Sequence, residues 1–168
     1  KHAVPFLERA YVEWLSQPPE IRKRMTNVLY MHSRSSSYDW PWERFLHEYL
    51  VTDALFDVQN RIRSFGRVPH ATRIREMCSR CGLWCPEDAP VESLVRIRND
   101  LFHEALWDEA TPGHFVTVES YYKVFELRAL NQRLIAAMLG GLEGKSGSAG
   151  RPAAQGRDAE APVTAPAS

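Results

Sequence analysis

Arg98, Asn99 and His103 are the residues here whose types and spacing could carry chemistry. Histidine is the side chain best able to take or give a proton near neutral pH. A guanidinium is a permanent cation that can stabilise negative charge as it develops, and an amide can position a group by hydrogen bonding. A cation, an amide and an imidazole thus sit within about one and a half helical turns.

The element that must position them runs from Val91 to Leu106 and has the period of one amphipathic helix. Ala89-Pro90 is a start signal and Asp88 a cap candidate. Leu94, Ile97, Leu101 and Ala105 fall on one side, and Val91, Val95, Phe102 and Leu106 widen that arc. Arg98 lands near its middle. A charge aimed into a dry core is costly without a partner. Either Arg98 has a dedicated acid, or the apolar face borders a groove. Asn99 and His103, four apart, share the next face. Arg98 and His103 are five apart, about 140° round a regular helix, so one such helix does not aim both at one atom. Two-fold pairing of two copies would bring one chain's His103 near the other's Arg98.

Arg98-Asn99-Asp100-Leu101-Phe102-His103 resembles the Arg-x4-His motif of the HEPN superfamily, whose usual form has a polar residue directly after the arginine. The setting agrees: a late helix with apolar flanks and a long final helix behind it. The resemblance spans roughly Trp40 to Gly140. It implies a small helical bundle, and many such domains are metal-independent ribonucleases that dimerise so that both motifs share one cleft. RNA carries its own nucleophile, the 2′-hydroxyl. Cleavage then needs a proton-transfer group, a cation for the charged phosphorane, and positioning. His103 fits the first role, Arg98 the second and Asn99 the third. Asp100 and Glu104 face outward and receive no role. Related domains often carry an acid facing the motif, and Asp53, an interruption in a mostly apolar helix, is paired with Arg98 on that basis and on charge. The plainer alternative is an edge carboxylate beside Asp57. For the motif itself the plainer alternative is a bundle salt bridge and a surface histidine.

The rest of the chain reads as helices separated by Pro, Gly and Ser. Phe6 to Leu15 has helical spacing and stops at Pro18-Pro19; a second helix runs from Glu20 to about His32. Its Arg22, Lys23 and Arg24, with Arg34 in the following serine-rich loop, are candidate RNA contacts, although a solvated face is the commoner meaning of such a cluster. Pro41 to Phe65 is the longest helix, apolar nearly all round and expected at the centre. Trp40 and Trp42 open it, suited to stapling the helix start. Ala71 to about Cys81 follows, ended by Gly82. Beyond the motif, Thr111-Pro112-Gly113 is a turn and His114 to Thr117 a short extended piece. The final helix is Val118 to about Leu139. From residue 142 to 168 the chain is Gly, Ala, Pro and Ser with a few charges, a disordered tail by composition.

Cys78, Cys81 and Cys85 with His70 suggest a zinc ligand set, but the second pair of a zinc ribbon is missing and Cys78 falls on the apolar side of its helix. No metal and no cofactor is expected. An odd count of three cysteines points away from a disulfide framework and toward a reducing, cytoplasmic compartment. With 168 residues, 21 basic against 21 acidic, the chain suits one domain without a global field for nucleic acid. It opens on Lys1, as expected of a piece of something longer, and shows no signal peptide or membrane span. The expectation is an all-α, HEPN-like helical bundle over residues 1–141 (core about 40–140). It would cleave RNA as a homodimer, as a toxin or antiviral effector restrained by an antitoxin or regulatory protein. A non-catalytic module binding nucleotide, RNA or protein through the same groove is the alternative, and a zinc-stabilised interaction domain a third.

Overall fold

The computed structural model describes residues 3–107 and 118–140. The anticipated turn at 111–113, the extended piece at 114–117 and the tail at 142–168 lie outside them. Among the described residues the chain is all-helical: α1 (Ala3–Ser16), α2 (Pro19–Ser35), α3 (Pro41–Ile62), α4 (His70–Arg80), α5 (Asp88–Asn99), a π-helical turn (Asp100–Glu104) and α6 (Val118–Leu139). None of these helices is long and apolar enough to cross a membrane.

The punctuation follows the sequence. Pro19 and Pro41 occupy first-turn positions, where a missing N–H costs nothing. The Glu43 carboxylate reaches back to accept from the Trp40 backbone N–H at 3.4 Å, half of a capping box. Gly82 supplies the left-handed φ of +60° that ends α4. α3 stops at Ile62, short of Phe65, because Arg63 turns to an extended backbone and Phe65 folds back to stack on Phe56 with centroids 5.1 Å apart.

α3 is the central helix. Phe45, Tyr49, Val51, Leu55 and Val58 are buried on it, and it packs against α2, α6 and α4. Val28, Leu127, Leu130 and Leu134 close the core from α2 and α6. α4 and α5 contribute Ile74, Met77, Val91, Leu94 and Ile97. α1 buries only Ala10 and leaves Leu7, Tyr11 and Val12 exposed.

The motif helix differs from expectation. The single helix over 91–106 is instead α5 followed by the π turn, ended by Ala105 at φ +55°. The Asp100 carbonyl accepts from the backbone N–H of both Ala105 and Leu106, the latter at 3.1 Å. The apolar arc holds through Ile97 and then breaks, with Phe102 46% exposed. The change of winding lets the chain leave the helix axis so that Trp107 buries edge-on against Phe45, centroids 5.4 Å apart. Burying an indole contributes roughly 4–5 kcal/mol of transfer free energy. A non-glycine residue in the left-handed region costs about 1–2 kcal/mol. Packing wins.

Candidate active site

The π turn brings the motif together within one chain. In i→i+5 winding, residues five apart stack rather than diverge. Arg98 Nη1 lies 3.4 Å from His103 Nε2 and donates to Asn99 Oδ1 at 3.0 Å. The guanidinium also sits over the Phe102 ring, 4.5 Å from its centroid, a cation–π contact that braces the charge from one side. A guanidinium nitrogen can only donate, so this contact is a hydrogen bond only in the tautomer that leaves the lone pair on Nε2. The expectation that one chain's helix could not aim both groups at one atom held for a regular α-helix and fails for this winding.

Arg98 is partly buried, whereas Asn99, Phe102 and His103 are exposed. Its Nε is buried without a hydrogen-bond partner among the described residues. The trio forms an open surface patch with an anchored cation rather than a closed cavity.

Asp53 does not make the expected pair with Arg98. Its Oδ1 accepts from Arg73 Nη1 at 3.1 Å and lies 3.3 Å from His70 Nδ1. The reason is position: α4 packs on α3 beside Asp53 and presents the Arg73 guanidinium and the His70 ring first. Arg98 still contributes to the same neighbourhood. Burial holds the His70 imidazole below its ordinary range, and the Arg73 and Arg98 charges add to this against the opposing pull of Asp53. Burial likewise raises the Tyr49 hydroxyl, with Asp53 adding to the rise and Arg98 and Arg73 opposing it. Tyr49, His70, Asp53 and Arg73 form a polar group at the α3–α4 contact that feels the Arg98 charge.

The basic residues of α2 do not form one surface. Arg24 is tied to Asp57 at 2.8 Å and Glu20 at 3.4 Å, and Arg61 joins both acids. Arg22 lies over the Trp14 ring at 5.4 Å. Lys23 and Arg34 are exposed but about eleven residues apart, some 16 Å along the axis. Ion pairing has neutralised Arg24. Cys78 and Cys81 are buried, and Cys81 Sγ accepts from Gln59 Nε2 at 3.3 Å. Burial, with help from the neighbouring Cys85, pushes the Cys78 thiol up to about 12. Among the described residues no three His, Cys, Asp or Glu side chains are grouped as a metal site.

A second polar centre was missed. Glu48 is fully buried on α3. It accepts from Arg128 Nη1 at 2.7 Å, Asn131 Nδ2 at 2.8 Å, the His32 ring at 2.9 Å (Nδ1), and the Ser35 hydroxyl. Thr52 donates to Asn131 Oδ1 at 2.8 Å. Burial would raise the Glu48 carboxyl, yet the bonds from His32, Ser35 and Asn131 outweigh it and hold the group below its usual range. The signal was present as polar residues at helical spacing, Glu48 with Thr52 and Arg128 with Asn131, inside otherwise apolar helices.

Comparison with protein-family models, curated proteins and solved structures returns no match. What the fold defines is an all-α bundle carrying an Arg-Asn-His patch, and its chemistry is read from that patch.

Proposed function

We propose that this protein is a metal-independent endoribonuclease of HEPN type, acting on RNA phosphodiesters with Arg98, Asn99 and His103. The observation that carries the reading is the 3.4 Å approach of Arg98 Nη1 to His103 Nε2 on an exposed π turn, a class of distortion frequent at functional sites. The 2′-oxygen attacks phosphorus, the P–O5′ bond breaks, and a 2′,3′-cyclic phosphate and a 5′-hydroxyl result. One imidazole takes the 2′-hydroxyl proton and another delivers a proton to the leaving oxygen. The Arg98 guanidinium neutralises the phosphorane oxygens, and Asn99 holds that guanidinium in place.

This chemistry supplies the reason for a homodimer. A single open patch has one imidazole and free access to water, whereas two paired copies have two imidazoles and a shared cleft. Restraint by an antitoxin-like protein and a role in prokaryotic defence belong to the same proposal and rest on the motif resemblance. The test is cleavage of a labelled RNA in EDTA. His103→Ala and Arg98→Ala should each lower the rate at least a hundredfold with helicity unchanged. Equal rates in wild type and His103→Ala would reject the assignment. Saturable RNA binding by the wild type without cleavage would favour a non-catalytic binding module instead.

A further inference from the structure

Away from the motif, the ends of α2, α3 and α6 enclose a pocket lined by polar Ser35, Ser36, Arg44, Glu48 and Arg128 and by apolar Tyr121, Val124 and Phe125. Its charges do not balance. The Glu48 carboxylate is saturated by donors from α2 and α6 and neutralises Arg128. Arg44 is partly buried, spends its Nε on the Tyr38 carbonyl at 2.5 Å, and makes no ion pair among the described residues. Its two terminal nitrogens have no other hydrogen bond there, and Arg128 has bonded only through Nη1. A partly desolvated guanidinium without an acid is a standing demand for an anion, and its planar donors match a phosphate group. Beside it, Tyr121 and Phe125 meet edge to face at 5.0 Å and remain 41% and 46% exposed, although rings of that size are normally buried.

We propose that this pocket binds a phosphate carried on a planar base, with the phosphate on Arg44 and Arg128 and the base against Tyr121 and Phe125. Stacking on an aromatic ring and charge-assisted bonds to phosphate are the two general means of holding a nucleotide unit. The unit could be supplied by an RNA strand or by a free nucleoside phosphate. This binding is independent of the cleavage chemistry at Arg98 and His103.

Calorimetric titration of the full chain, carrying His103→Ala so that no probe is consumed, separates the outcomes. AMP should bind saturably, and Arg44→Gln should weaken it about tenfold or more, the equivalent of one charge-assisted hydrogen bond. Phe125→Leu, a change on an exposed ring, should weaken AMP several-fold while leaving inorganic phosphate unaffected. Tighter binding of a five-nucleotide RNA than of AMP, with the same loss in Arg44→Gln, assigns the pocket to a strand; the reverse order assigns it to a free nucleotide. The proposal is overturned by absence of saturable AMP binding, or by AMP affinity unchanged in both folded variants. If Arg44→Gln loses its helicity, Phe125→Leu decides alone. Cleavage results at the motif do not alter this reading.

Discussion

Ala105 carries the clearest local strain in the described chain, an L-residue at φ +55° closing the π turn. Glycine occupies that region without steric cost but has more freedom to lose on folding. Ala105→Gly should therefore raise unfolding stability modestly, by about 0.5–1 kcal/mol, whereas β-branched Ala105→Val should lower it by more than about 1 kcal/mol, both read from urea midpoints. A drop on Ala105→Gly would mean that the turn is held by something other than its backbone. Three residues earlier along the turn, the Phe102 face under Arg98 predicts a different effect. Phe102→Leu should leave the fold intact and reduce RNA cleavage about threefold to tenfold by loosening the guanidinium, a loss of about 1 kcal/mol.

At the scale of elements, two polar contacts decide how helices meet. Glu48 joins α2, α3 and α6, and removing one partner of a buried charge pair costs about 3–5 kcal/mol. Glu48→Gln should lose roughly that much and strand Arg128, while Glu48→Leu with Arg128→Met should recover most of it in the same urea series. The α3–α4 contact responds to pH. The folded His70 imidazole is held below its ordinary 6.5, so the unfolded chain takes up the proton more readily. Its contribution is whole above about pH 6.5 and declines as pH falls through the folded value. Urea midpoints should fall between about pH 7.5 and 5, and His70→Asn should flatten that slope. Helix positions were legible because Pro19, Pro41, Gly82 and the 3.6-residue apolar period act locally. Asp53's choice of Arg73 and His70 over Arg98 was not, because the sequence offers Asp53 several basic partners and only the packing of α4 on α3 ranks them. The π turn was equally invisible: the buried Trp107 that follows it lies beyond the motif it rewinds.

For the whole molecule, the even balance of 21 basic and 21 acidic residues bears directly on RNA. No broad field draws a polyanion in, so attraction comes from a few guanidiniums. Affinity for a short RNA should fall with salt at a log–log slope of only about −1 to −3, as for two to four neutralised phosphates on a single strand. A much steeper slope would call for an extended basic face that Arg22, Lys23, Arg24 and Arg34 do not form.

The rewound turn also makes a residue count into a mechanical quantity. Arg98 and His103 meet because the backbone takes an extra step between them, so the intervening chain works as a spacer whose length and winding must be changed together. Deleting Leu101 while letting the segment relax to ordinary α geometry would leave the two groups four apart and still adjacent. Inserting an alanine there would carry the imidazole round the helix and out of reach.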